Sequence, residues 1–345
     1  MSREMQILER IAPDIKEVIE ERFQILQHIY WMQPVGRRTL ASHIGITERV
    51  LRTETDFLKK LQLIDVSKSG MSLTAEGLEV YRSLEGMIGQ VLGGGKKERQ
   101  LADLLNIDHC LIVSGNSDSE PRVLDSFGDM VTETLDKILP AGDNVIAVMG
   151  GTTMAKVAEQ MRPLEKSDRH NLFVPARGGI GESVSIQANS ISALMAENSG
   201  GDFRALYVPE QVSPETYRPL LQEPSVQKVL ALIEQSNCVI HSIGNAMRMA
   251  ERRGMSQEEL SMLRLNNAVA ESFGYFFDDQ GEVVYKIPRI GLQLKDLKRI
   301  PYIIAVAGGK SKAAAIRAYI KHAPKQTWLI TDEGAANQIL KEATL

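Results

Sequence analysis

The chain has 345 residues, of which 43% are hydrophobic and 24% charged, with a formal net charge of −4. That length exceeds what one hydrophobic core usually organises, so two domains are expected, and no run approaches the roughly 20 apolar residues of a membrane span. Cys110 and Cys238 each lie inside an apolar run, which argues against a disulfide or metal framework, and Met1-Ser2-Arg3-Glu4 has none of the apolar core of a signal peptide, so a cytoplasmic protein is expected.

From Asp14 through Ile29 apolar residues recur at helical spacing and stop at Pro34-Val35-Gly36. A short helix follows from Arg37 to Gly45, then a longer one from Glu48 to Leu61 with Thr47 as its cap and Val50, Leu51, Phe57 and Leu58 expected inward. This is the spacing of a helix-turn-helix. Residues 63–74 alternate around a Ser-Gly turn and predict a two-stranded wing, after which Thr74-Ala75-Glu76-Gly77 opens another helix. Nucleic-acid affinity depends on local rather than total charge, and Arg37, Arg38, Arg49 and Arg52 cluster at the two helix starts. With Thr47 and Thr53 they are the candidate contacts to DNA bases or backbone; the competing interpretation is a solvated face on a protein-interaction module.

Gly93-Gly94-Gly95 marks the expected boundary between residues 1–92 and 93–345. Beyond Asn106 short apolar runs alternate with helical stretches: 109–114, 144–149, 171–174, 203–208, 238–243, 302–306 and 327–330. This predicts an α/β domain with a doubly wound, mostly parallel sheet, whose ligand sits at the carboxyl ends of the strands. Two of those ends are glycine loops. Gly150-Gly151-Thr152-Thr153 offers flexible backbone and hydroxyls at a helix start, and Gly308-Gly309-Lys310-Ser311-Lys312 adds a serine and two lysines. Either is suited to an anion, although a plain helix cap explains the first equally well, and neither has the glycine pattern of a nucleotide loop. A third strand ends at Arg177-Gly178-Gly179, where a guanidinium suits an oxyanion; Gln187 and Asn189 follow as candidate partners for sugar hydroxyls. Arg248, Arg252 and Arg253 lie after a fourth strand. Glu271 reads either as an acceptor for a hydroxyl or as a solvated helix residue, and Asp332 as a site acid or a helix cap.

The segments Gly36-Arg37-Arg38-Thr39-Leu40, Thr47-Glu48-Arg49-Val50-Leu51-Arg52, Gly150-Gly151-Thr152-Thr153, Glu271-Ser272-Phe273-Gly274, residues 303–309 with Lys312, and residues 330–336 resemble those of the SorC-type sugar-binding transcriptional regulators, over nearly the whole chain. The resemblance implies a winged helix-turn-helix domain bound to operator DNA and a sensor domain similar to sugar-phosphate isomerases and deaminases that has lost turnover. For the family's glycolytic subgroup it implies repression, fructose-1,6-bisphosphate as inducer, a homo-oligomer and no cofactor. Carried over by position, it assigns ligand binding to Thr152, Thr153, Arg177, Gln187, Glu271 and Lys312, with Arg252; the glycine loops add Gly151, Gly178, Gly179, Gly309 and Ser311. The rival classes are a sugar-phosphate isomerase or deaminase using Glu271 or Asp332 as base, and a structural DNA-binding protein indifferent to metabolites.

Overall fold

A computed structural model describes residues 11–91, 94–179, 183–209 and 213–343. The chain divides into two compact units, one ending at Glu98 and taking in Glu120–Arg122, the other formed by Arg99–Ser119 and the chain from Val123 onward.

In the first unit α1 (Ile15–Met32), α2 (Arg37–Ile44) and α3 (Glu48–Lys60) precede a hairpin of β1 (Ile64–Ser67) and β2 (Gly70–Leu73), and α4 (Ala75–Val91) follows. Gly45 closes α2 in the left-handed conformation at φ 79°, which a glycine adopts without steric cost, and its N–H bonds to the Ala41 carbonyl. Two residues later the Thr47 hydroxyl accepts the Val50 N–H and starts α3. The turn between the helices is thus written by a stop signal and a start signal only two residues apart. The hairpin pairs Ile64 with Leu73 and Ser67 with Gly70, leaving Lys68 and Ser69 at its tip. Ile29, Leu40, Leu51, Leu58, Ile64, Met71 and Tyr81 make the core, each buried aliphatic side chain contributing roughly 1.5–3 kcal/mol. On α3 the buried stripe is Leu51, Thr55 and Leu58, whereas Val50 and Phe57, expected inward, are 47% and 38% exposed. The two apolar residues lie one step off the i, i+4, i+7 line, and the Arg22 guanidinium covers the Phe57 ring at 4.0 Å.

The triple glycine is not a simple linker. Gly94 and Gly95 open α5 (Gly94–Leu105), while Gly93 lies outside the described residues.

The second unit is built on a seven-stranded parallel sheet in the order β3-β13-β12-β7-β4-β5-β6. Its strands are β3 (His109–Val113), β4 (Gly142–Val148), β5 (Arg169–Pro175), β6 (Asp202–Phe203), β7 (Cys238–Ser242), β12 (Tyr302–Val306) and β13 (Thr327–Asp332). Helices covering both faces of a parallel sheet require apolar side chains on both sides of its central strands. Val239, Ile240, Ile303, Ile304, Ala305, Val306, Leu329 and Ile330 are accordingly all buried. The expected strand over 203–208 shrinks to Asp202–Phe203, and Leu206 and Val208 are buried outside regular structure. A second, antiparallel sheet of four strands was not foreseen: β8 (Gly244–Asn245), β9 (Ala268–Ser272), β10 (Tyr275–Asp278) and β11 (Val283–Lys286). Ala268 through Ser272 therefore form a strand rather than a helix, and Glu271 is buried at 5% exposure rather than solvated.

The strand order reverses at β4 and β7. From β4 the chain winds outward to β5 and β6, whereas β7 returns to the other side of β4 and leads on to β12 and β13. Loops leaving adjacent strands in opposite directions hold open a crevice at the strands' carboxyl ends, which is where ligands of such sheets bind.

Candidate functional site

A cavity of about 380 Å³ fills that crevice. Every parallel strand from β3 to β5 and from β7 to β12 ends on it: Ser117 and Asp118 after β3, Met149 to Thr153 after β4, Arg177 after β5, Ser242 to Asn245 after β7, and Gly308, Ser311 and Lys312 after β12. Arg248, Arg252, Arg253, Glu271, Ser272 and Phe273 also line it, with Leu124 and Met249.

The first glycine loop is open. Gly151 sits at φ 128°, a conformation essentially closed to other residues, and directly precedes α6 (Val123–Ile138)'s successor in the chain, α7 (Thr152–Gln160). The amides of a helix's first turn have no intrahelical acceptors, and here no side chain caps them. Thr152 and Thr153 line the cavity, and the Lys312 Nζ donates to Thr153 Oγ1 at 3.2 Å. Burial pushes the Lys312 ammonium down, Arg248 and Arg252 push it further, and Asp332 and Asp118 hold it back, leaving a pKa of about 8. An uncapped helix start, two threonines and a lysine therefore share the cavity lining, and an arriving anion would raise the lysine's lowered pKa back toward its ordinary value.

The second glycine loop is closed. Gly309 N–H donates to Asp332 Oδ2 at 2.7 Å, Lys310 N–H to Asn116 Oδ1 at 3.2 Å, and Ser311 N–H to Asp118 Oδ2 at 2.7 Å. The Ser311 hydroxyl donates to Asp118 Oδ1 at 2.8 Å. Gly309 lies at φ 96°, and a Cβ there would run into the Asp118 carboxylate. The two glycine loops thus differ, the donors of the second being engaged while no side chain caps the helix start after the first; Gly309 is outside the cavity lining, while Ser311 lines it with its donors engaged. Asp332, fully buried, is a structural cap: it also accepts Ser117 N–H and, at the start of α14 (Glu333–Glu342), Ala335 N–H, each at 2.8 Å.

Arg177 is buried in the cavity wall as expected. Gly178 and Gly179 are not in the lining: their N–H groups donate to the Ile290 and Val208 carbonyls. Gln187 also lies outside it, at the start of α8 (Ala188–Ser199), beside Gly179 and one residue from the Ile186 carbonyl that accepts Gly151 N–H. Asn189 is engaged with both the N–H and the carbonyl of Leu206. Glu271 Oε1 accepts from Arg253 at 3.2 Å, Arg289 at 3.3 Å and Gly274 N–H at 2.8 Å. Burial pushes its carboxyl up, but Arg253, Arg289, the Gly274 amide and Arg177 outweigh that and hold it below the usual range. Glu271 therefore anchors guanidiniums, and one of them, Arg289, went unnoticed in the sequence.

Also unforeseen is a buried chain behind the cavity wall. Tyr319 Oη lies 3.1 Å from His241 Nε2, and His241 Nδ1 lies 3.3 Å from Ser272 Oγ. Burial lowers the His241 pKa to about 4, so the ring is neutral. The Ser272 hydroxyl donates to the Ser242 carbonyl, which also lies 3.4 Å from His241 Nδ1. That placement fits a tautomer with the proton on Nδ1, in which the ring cannot accept from Ser272.

In the first unit Arg38, Arg49, Arg52 and Thr53 are exposed. Arg37 reaches Asp56 at 3.4 Å and Arg38 lies 4.0 Å from Glu48, both weak surface pairs. Thr47 is engaged as the cap of α3, and the Thr53 hydroxyl donates to the Arg49 carbonyl.

Comparison with known proteins agrees with this division. A sugar-binding domain family model, Sugar-bind, matches residues 91–341, and the CggR N-terminal DNA binding domain model matches residues 18–88. The chain is 46% identical to the central glycolytic genes regulator of Bacillus subtilis strain 168 over 342 residues, covering 99% of this chain and 100% of that protein. It is 46% identical to the same regulator of Priestia megaterium over 98% of both chains. A SorC-family transcriptional regulator structure from Enterococcus faecalis superposes with a TM-score of 0.68 at 66% identity, covering 71% of this chain and 99% of that one. The full-length sorbitol operon regulator of Klebsiella pneumoniae, at 15% identity, shares the fold over 94% of this chain and 99% of that one with a TM-score of 0.63. With a DNA-binding domain and a sugar-binding domain both matched, the chain belongs to the SorC family of sugar-binding transcriptional regulators, among relatives of the central glycolytic genes regulators.

Proposed function

We propose that this chain is a cytoplasmic, homo-oligomeric repressor of glycolytic genes that leaves its operator when a phosphorylated sugar, fructose-1,6-bisphosphate, fills the cavity. The observation that carries this reading is the uncapped start of α7 facing Lys312 across a cationic cavity, in a chain that also holds a DNA-binding domain. A volume of about 380 Å³ suits a small polar metabolite. One phosphate is taken at Gly151, Thr152, Thr153 and Lys312. The other end of the sugar meets Arg177 and Arg252, with Gln187 at the rim for a hydroxyl and Glu271 holding its arginines in place. Arg37, Arg38, Arg49 and Arg52 meet operator phosphates and bases, with Thr47 and Thr53 beside them.

The isomerase or deaminase reading is disfavoured by the two candidate bases. A general base works best with a pKa near the operating pH, whereas Glu271 is held low and both oxygens of Asp332 are engaged by backbone amides.

The sugar can release DNA only if it binds the two states of the protein differently, and the coupling must be reciprocal. Operator affinity measured with and without fructose-1,6-bisphosphate, and sugar affinity with and without operator, should change by the same factor. Equal affinities in both directions, or turnover of glucosamine 6-phosphate, would defeat the proposal.

A further inference from the structure

The second glycine loop has the donors of an anion site, yet they are engaged by the protein itself. Asn116 and Asp118 stand on the loop after β3, far away in sequence, and reach across to take the Lys310 N–H and both the N–H and hydroxyl of Ser311. Asp332 takes the remaining amide, at Gly309. The two carboxylates differ in kind. Asp332 is fully buried and ties the loops after β3 and β12 to the start of α14, whereas Asp118 is exposed at the cavity mouth and its side chain accepts from Ser311. Asp118 is thus an anion in a place where a phosphate would fit, with its charge turned toward the cavity that Ser311 and Lys312 also line.

We propose that Asp118 is a specificity-determining residue of the cavity: its carboxylate occupies the donors of Ser311, keeps phosphate off the second glycine loop, and directs a second anionic group of the effector toward the arginines. The proposal rests on the reading of the cavity as a phosphate receptor. Two physical effects act together. The donors of Ser311 are already engaged, so a phosphate gains no hydrogen bond there without displacing the carboxylate. A phosphate at hydrogen-bond range of Asp118 would also place like charges side by side, where they repel. The first loop has neither obstacle, since its start is uncapped and a lysine faces it.

The test is equilibrium dialysis of radiolabelled inorganic phosphate against the full chain, counting ions bound per chain in wild type, Asp118→Ala and Asp118→Asn. Asp118→Asn preserves the shape of the side chain and removes its charge, which guards against a variant that merely loosens the loop. The expected result is one more phosphate per chain in Asp118→Ala than in wild type, the same gain at weaker affinity in Asp118→Asn, and loss of at least ten-fold in affinity for the added ion when Ser311→Ala is combined with Asp118→Ala. A through-space effect alone would tighten an existing site without adding one, and that outcome overturns the proposal, as does an unchanged count. Fructose-1,6-bisphosphate titrated into the wild type reports separately on the receptor reading. If that sugar does not bind while Asp118→Ala still gains a phosphate, the receptor reading fails and takes with it the steering of the effector, whereas the exclusion of phosphate from the second glycine loop by Asp118 stands.

Discussion

The two glycine loops of the sensor unit look alike as sequence and differ as chemistry. Each follows a central parallel strand, each has a glycine at positive φ as its second member, and each leads into a helix. At Gly150–Thr153 the helix start is left without a side-chain cap, and at Gly308–Lys312 three side chains from elsewhere in the fold take the amides. What distinguishes a binding loop from a structural one is therefore whether its donors are already satisfied. A glycine pair announces only that the backbone can turn.

Four measurements sharpen or break this contrast. The largest effect is expected from Asp332→Ala, which strips a fully buried carboxylate from three amides and should cost about 3–4 kcal/mol in urea unfolding, against under about 1 kcal/mol for the exposed Asp118→Ala. Equal losses would mean that the second loop is held by both carboxylates alike. Next, Lys312→Met should weaken a phosphorylated sugar by about 2 kcal/mol, near 30-fold by calorimetry, while Lys310→Met stays within about two-fold. Similar losses at both lysines would place phosphate on the second loop after all. Gly151→Ala, forced to φ 128°, should lower stability by about 1–2 kcal/mol and sugar affinity with it; an unchanged melting temperature would show that the loop is not constrained.

The last is a pH profile. Burial lowers the Lys312 pKa to about 8, and a phosphate would bind its protonated form. Below pH 8 the charge is already present, whereas above it each unit costs up to about 1.4 kcal/mol of proton uptake, so affinity should fall toward ten-fold per unit. A phosphate monoester loses its second charge below about pH 6, which sets the lower limb. A flat profile from pH 7.5 to 9.5 would show that Lys312 does not meet the phosphate.

Much of this architecture was legible in the sequence, for identifiable reasons. Central strands such as Tyr302–Val306 are apolar on both faces, and the helix-turn-helix carries its own punctuation in Gly45 and Thr47. Arg177, Thr152, Thr153 and Lys312 are candidates because they follow strand ends, where such folds place ligands, and all four line the cavity. The misreadings have a common source in tertiary context. Ala268–Ser272 is too short and too rich in alanine to announce a strand, and its pairing with Tyr275–Asp278 on one side and Gly244–Asn245 on the other makes it one. Val50 and Phe57 are apolar without being inward, because the packing line on their helix runs through Leu51 and Leu58. Asp118, Arg289 and the His241–Tyr319 pair carry no local signature at all: each acquires its role from a partner that folding alone brings near.

The strand order has a consequence for biosynthesis. β3 is made first among the seven strands, yet among the described residues it pairs in the sheet with β13, the last. Roughly 200 residues must leave the ribosome between them, which takes on the order of 10–40 s. During that time β3 stays unpaired, and the loop after it, with Asn116 and Asp118, has no glycine loop to close. A nascent chain halted before Thr327 should therefore hold the first glycine loop without a finished cavity, and pulse proteolysis of such stalled chains should find cleavage near His109–Val113 that disappears once the final strand is in place.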